Sequence, residues 1–237
     1  MQKILSYVRR AVDDYHMIQE GDRIAVGVSG GKDSLTLLRA LKALQRFYPK
    51  QFDLEAITLT MGFDNFDLSA IRQMCKEIDV PYTVVETNIA EVIFDIRKES
   101  NPCSLCAKMR RGALHDAALE AGCKKVALGH HHDDVIETFF MSLFYEGRLH
   151  CFSPVTYLDR KDIHLIRPML YVPEQVVVGF VDKTGLPVVQ SPCPVNGHTK
   201  RQYVKDLLKA LSRENKGLKE RLFGAIRRNL WGVGGGG

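Results

Sequence analysis

The sequence predicts an α/β protein: an open sheet of parallel strands that carries a helical, basic C-terminal extension. Three observations predict it. Short apolar runs alternate with stretches of helical periodicity between residues 4 and 144. Two of those runs end in a glycine turn, SGGKDS at 29–34 and GHHHDD at 129–134. From residue 199 to 229 the chain carries ten Lys and Arg against three Asp and Glu.

Ile4, Leu5, Val8, Val12 and Tyr15 share one face of a helix expected over 4–18. Residues 23–28 form an apolar run and are expected to be a buried strand. Leu35, Leu38, Leu41 and Leu44 stripe a helix over 34–44. LEAITL (54–59) is a second strand, 68–78 a helix and 81–85 a third strand. Leu105, Met109, Leu114 and Ala118 face inward from a helix over 104–121. KKVALG (124–129) is a fourth strand, followed by a helix through Phe144. IHLIRPM (163–169) reads as a strand, and Pro173 suits the opening of a helix. TGLPVVQSPCPVNG is broken by Pro and Gly and reads as a loop. Residues 199–229 read as one or two helices. The expected division is an N-terminal helix at 1–20, an α/β domain at 21–170, a helical segment with a cysteine loop at 171–233, and a flexible tail at 234–237.

A chain of 237 residues that is 45% hydrophobic and 26% charged can bury one substantial core. A net charge of +5 is compatible with a nucleic-acid partner. Six cysteines are too few for a disulfide scaffold of this length. The first residues, MQKILSYVRRAVDDYHM, lack the apolar stretch of a signal peptide. No uncharged run approaches the ~20 residues of a membrane span. A cytoplasmic protein is expected, and there a CxxC pair serves metal binding or catalysis rather than a structural disulfide.

SGGKDS joins a strand to a helix, where glycines let backbone amides approach an anion. The plainer alternative is an ordinary turn with Asp33 or Ser34 as helix cap. A Walker A loop is excluded, because Val26 occupies its first glycine position and Asp33 follows Lys32. The six residues instead resemble the PP-loop, Ser-Gly-Gly-x-Asp-Ser, of the N-type ATP pyrophosphatase superfamily. The resemblance implies a PP-loop fold (adenine nucleotide alpha hydrolase-like, Rossmann-like). It also implies that Ser29, Gly30, Gly31, Lys32, Asp33 and Ser34 bind ATP, which is cleaved between its α and β phosphates.

In GHHHDD, Gly129 permits close backbone approach, and Asp133 and Asp134 offer hard oxygens to Mg²⁺. One of the two aspartates is alternatively a helix cap. Three consecutive histidines do not converge on one metal. The Gly-His-x-x-Asp-Asp pattern resembles the tRNA-modifying branch of PP-loop enzymes. That implies Gly129 near the base or ribose and a catalytic Asp134 near the reacting phosphates. Arg167 in IRPM matches the Arg-Pro of the same branch, a surface salt bridge being its plainer reading.

NPCSLCAKMRRG holds Cys103 and Cys106. Cys75 lies on a helix core stripe and Cys123 at a turn, both passive positions, and the role of Cys151 stays open. Cys193 sits in QSPCPVNGH. Two metal sites fit these residues: a closed zinc site of Cys103, Cys106, Cys193 and His198, or a three-cysteine 4Fe-4S cluster with one iron open. Composition does not separate them.

Taken together, YHMIQEGDRIAVGVSGGKDS, PCSLCAKMRRG, KVALGHHHDD, IRPM and PCPVNG resemble the tRNA 2-thiocytidine synthetase family over nearly the whole chain. The resemblance implies ATP-dependent replacement of a cytidine oxygen by sulfur in an anticodon loop. It also implies ATP, Mg²⁺ and a 4Fe-4S cluster on Cys103, Cys106 and Cys193 as cofactors. Two departures stand out. Asn196 occupies the position of a second cysteine in the late loop, and TLTMGFDNFD lacks the Asp common after the second strand. Arg110 and Arg111 are candidates for ATP phosphate or RNA backbone. Residues 199–229 are the stronger RNA candidate by charge. Expected partners are tRNA and a sulfur donor such as a cysteine desulfurase, with a homodimer as one expected assembly and no membrane. The competing readings are a tRNA lysidine synthetase-like ligase, a 2-thiouridine-type sulfurtransferase, and a zinc-stabilised RNA-binding module without catalysis.

Overall fold

The computed structural model describes residues 1–62, 66–97, 102–189 and 200–232, the side chain of Cys103 excepted. Six strands form one sheet: β1 (Asp22–Gly27), β2 (Phe52–Leu59), β3 (Tyr82–Val85), β4 (Lys125–Ala127), β5 (Val155–Leu158) and β6 (Ile163–Ile166). Their order is β3-β2-β1-β4-β6-β5. All neighbours run parallel except β5, which pairs antiparallel with β6 at the edge.

β1 is central because it carries an unbroken apolar run, and Ile24, Ala25 and Val26 are fully buried. Its side chains alternate between two cores. Ile24 and Val26 join the larger one, with α1 (Gln2–Asp14), α2 (Lys32–Gln45) and α3 (Ser69–Glu77). The same core takes in α6 (His132–Glu146), α7 (Glu174–Thr184), α8 (Lys200–Glu214) and α9 (Leu218–Leu230). Ala25 faces the other way and meets α5 (Pro102–Glu120) through Leu114, Ala117 and Ala118. A helical turn, α4 (Ile89–Glu91), leads through a π-helical turn at Val92–Ile96 toward α5.

Two details differ from the sequence expectation. The first helix ends at Asp14, and Met17 and Ile18 are buried from a non-helical connection in which His16 has φ 49°. The strand expected over 163–169 stops at Ile166, before Arg167 and Pro168. The basic C-terminal stretch divides into two helices at Gly217, which has φ +72°. An aromatic group of Tyr15, Tyr171, Phe223 and Trp231, edge-to-face except for the tilted Tyr15–Tyr171 pair, holds α9 against α1, with neighbouring ring centroids 5.7–6.1 Å apart.

Strand order changes direction between β1 and β4. The crevice for a ligand in an open α/β sheet lies at the carboxyl ends of such a pair. Those two ends carry SGGKDS and GHHHDD.

Candidate active site

The loop after β1 is braced by its own serines. Ser34 Oγ accepts the Ser29 N–H at 3.1 Å and donates to the Gly31 carbonyl at 3.0 Å. Ser29 Oγ lies 3.3 Å from Ser34 Oγ. Gly30 sits at φ +81°, open to glycine at little cost. No side chain caps α2, whose N-cap is Gly31, so its first amides remain open to an anion. Gly129 fits against this loop for a steric reason. A Cβ there would lie 3.0 Å from the Asp33 carbonyl carbon and 3.1 Å from the Ser34 nitrogen. The segment after α7 covers the loop from the other side, where the Val189 N–H donates to the Gly30 carbonyl at 3.0 Å.

The second strand end opens α6 through a reciprocal cap. Asp134 Oδ2 accepts the His131 N–H at 2.9 Å, and His131 Nδ1 accepts the Asp134 N–H at 3.3 Å. The Asp134 side chain keeps 22% of its surface exposed. The three histidines diverge: His130 lies on Phe152, His131 caps α6 and His132 stacks on Phe223 at 4.3 Å. Burial pushes His130 down to about 4.

Asp133 has a different employment from the Mg²⁺ role expected of it. Its side chain is 7% exposed, and its two oxygens accept the Glu174 N–H at 2.8 Å and the Lys219 ammonium. It thereby ties the first turn of α7 and helix α9 to the start of α6. Burial raises its pKa, but the neighbouring His132 ring and the hydrogen bonds from Lys219 and Glu174 outweigh that and hold it well below the usual carboxylate range. A depressed carboxylate contributes stability above its unfolded value near ~3.9 and loses it as pH falls toward the folded one. Asp133→Ala is therefore expected to cost about 3 kcal/mol at pH 7. Urea unfolding should show that deficit shrinking as pH falls below about 4; a deficit independent of pH would mean that only packing was lost.

Cations gather over the phosphate loop. Lys32 Nζ bonds both oxygens of Asp33 at 2.9 and 2.8 Å and reaches Glu174 Oε1 at 3.2 Å. Lys205 of α8 bonds the same Glu174 oxygen at 2.6 Å. Arg201 lies 3.4 Å from Glu137 and 3.7 Å from Asp134. Burial works against the charge on Lys32 and Lys205, yet their carboxylate partners leave both raised. Glu174, Lys205 and Arg201 did not emerge from the motifs. A sequence signal existed in the i, i+4 spacing of Arg201 and Lys205 beside buried Val204 and Leu208, which turns both cations toward the body.

Arg167 is not a surface salt-bridge residue. It is 6% exposed and, among the described residues, makes no ion pair. Its Nη1 donates to the Ser153 carbonyl at 2.6 Å and to Thr156 Oγ1 at 3.1 Å, and its guanidinium lies 4.9 Å from the Phe152 ring centre. Burial, with Arg111 adding, lowers it to about 10.

α5 runs back along the sheet, with Leu114 against Gly27 at the end of β1. Cys106 is eight residues earlier in the same helix, roughly 12 Å along its axis and beyond the carboxyl edge of the sheet. The i, i+3 spacing puts positions 103 and 106 on one side of that helix. Arg110, one turn further on, is exposed, and the Arg111 Nε donates to the Ala107 carbonyl at 3.0 Å. Cys193, Asn196 and His198 lie outside the described residues. Among the described residues no three His, Cys, Asp or Glu side chains form a metal-holding group. Cys75, Cys123 and Cys151 are poor candidates for such a group, since burial pushes their thiols up to about 11, 11 and 12. Cys151 instead donates to the Val135 carbonyl at 3.3 Å. The remaining cysteines are Cys103 and half-buried Cys106 on α5 and the cysteine of the late loop, the three that the family resemblance implies as cluster ligands. That loop leaves the described structure at Val189, on the phosphate loop, four residues before Cys193.

Residues 3–211 match the PP-loop domain family. A tRNA-cytidine(32) 2-sulfurtransferase of Geobacter metallireducens is 42% identical over 228 residues, covering 95% of this chain and 89% of that protein. The chain belongs to the tRNA-cytidine(32) 2-sulfurtransferase family. A member from Pelobacter propionicus is 41% identical over 222 residues, covering 92% of this chain and 82% of its own. The solved structure of the U34-tRNA thiolase NcsA from Methanococcus maripaludis, with its 4Fe-4S cluster, matches with a TM-score of 0.82 and 25% identity. That match covers 99% of this chain and 80% of the thiolase. The family membership and the PP-loop fold implied by the motifs are both met, including the helical C-terminal region.

Proposed function

We infer that the protein is an ATP-dependent tRNA sulfurtransferase that replaces the carbonyl oxygen of a cytidine, position 32 of the anticodon loop, with sulfur. The observation that carries this reading is one cleft with two equipments. An uncapped, serine-braced phosphate loop lies at the end of β1, and the CxxC helix projects past the same edge of the sheet. A lysidine-forming ligase has no need for that second equipment.

In this reading the open amides of α2 and the Lys32 ammonium would hold the ATP phosphates. Asp134, which caps α6 and is still partly exposed, would hold Mg²⁺ beside them in this reading. The cytidine carbonyl oxygen attacks the α phosphorus, the bond to pyrophosphate breaks, and pyrophosphate departs with its electron pair. Sulfur then bonds to the activated carbon and AMP leaves with the former carbonyl oxygen. A 4Fe-4S cluster on Cys103, Cys106 and Cys193 would supply an open iron that holds sulfide for that second step. Arg110, exposed on α5, is a candidate anion partner. Gly129 lets the chain after β4 approach the phosphate loop closely. A sulfur donor such as a cysteine desulfurase is the proposed partner, and the cytoplasm, where tRNA is available, is the proposed site of action. No helix among the described residues is long and apolar enough to cross a membrane.

The products test the reading. With ATP, Mg²⁺, sulfide and unmodified tRNA under anaerobic conditions, AMP and pyrophosphate are expected in step with thiolated tRNA. Release of ADP and phosphate would contradict it.

A further inference from the structure

We propose that Lys205, on the C-terminal helix α8, belongs to the nucleotide site: together with Lys32 it neutralises Glu174 beside the phosphate loop and so admits the ATP triphosphate. The inference rests on the reading above that this loop binds ATP.

The backbone of Glu174 is held beside the phosphate loop, and its carboxylate is paired there. Glu174 is the first residue of α7, and its backbone N–H is held by Asp133 at 2.8 Å. Its Oε1 faces Lys205 at 2.6 Å, Lys32 at 3.2 Å and His131 Nε2 at 4.0 Å. A fixed carboxylate next to a triphosphate repels it, the more so in a half-buried cleft where charges are weakly screened. One lysine does not suffice, because Lys32 already answers the carboxylate of Asp33. Lys205 supplies the second cation from a helix far along the chain. Arg201, one turn before Lys205, meets Glu137 and Asp134 in the same way. The inward cations of α8 therefore serve the nucleotide, and only its outward cations are left for RNA. Lys205 is a positioning residue in this scheme, acting through Glu174.

The test uses the full chain and a Mg²⁺ complex of α,β-methylene ATP, which cannot be cleaved at the reacting bond. Calorimetry reads its Kd, and filter binding reads the Kd for tRNA. Lys205→Met is expected to weaken the analogue roughly tenfold or more and leave tRNA affinity unchanged. Lys205→Arg should bind as the wild type does. Glu174→Gln combined with Lys205→Met should recover most of the loss, which a merely structural lysine would not allow. Should Lys205→Met fail to fold, Glu174→Gln alone decides, since removing the opposing charge is expected to tighten the analogue. Unchanged analogue binding by Lys205→Met, a loss confined to tRNA, no recovery in the double variant, or weaker binding by Glu174→Gln would each overturn the proposal. A wild-type protein that does not bind the analogue would instead overturn the ATP reading itself.

Discussion

Cys106→Ser is expected to abolish thiolation while leaving ATP binding in place. Cys106 stands on α5 beyond the carboxyl edge of the sheet, one helical turn after Cys103, and takes no part in the serine brace of the phosphate loop. Serine there keeps the helix and removes a thiolate. A cluster held by three cysteines does not survive loss of one of them, so iron should fall from about four per chain to background. Thiolated tRNA should fall by about 10³-fold or more. The Kd for an ATP analogue and the melting temperature should stay close to wild type, because the side chain is only half buried. Retained iron with retained thiolation would remove the CxxC helix from the mechanism.

Asp134→Asn separates the two uses of that carboxylate. An amide oxygen can still accept the His131 N–H, so the α6 cap, worth about 1 kcal/mol, is kept. The negative charge that would hold Mg²⁺ is lost. AMP formation is expected to fall by about 10²–10³-fold with the melting temperature unchanged. Activity within about threefold of wild type would leave Asp134 a cap and nothing more. Asp133→Asn should behave in the opposite way, losing stability before activity, because its oxygens are occupied by Glu174 and Lys219.

The two aspartates illustrate what the sequence could and could not reveal. GHHHDD marks the end of β4 and the start of α6, and local chemistry alone requires a cap there. Which aspartate faces the cleft depends on α7 and α9, distant in the chain, and no local pattern carries that. The same holds for Arg167. IRPM shows an arginine before a proline, but its burial over Phe152 follows from how β5 and β6 close the sheet edge. β5 itself left little trace, being four residues long and followed by the polar turn DRKD. The central strands were legible because β1, β2 and β4 are apolar runs ended by turn residues. SGGKDS was legible because its residues act within the turn itself. Ser29 and Ser34 brace it, and Gly30 supplies the positive φ. Charge counting was least informative. It marked residues 199–229 as a candidate RNA surface without separating their faces, whereas α8 turns Arg201 and Lys205 inward to the acidic residues of the cleft.

The central claim is that the cleft thiolates cytidine in tRNA. Mass spectrometry of nucleosides from the tRNA of cells lacking this protein tests it most directly. The account predicts that 2-thiocytidine disappears and returns with the wild-type protein but not with Cys106→Ser. An unchanged level of 2-thiocytidine in the deleted cells would contradict it.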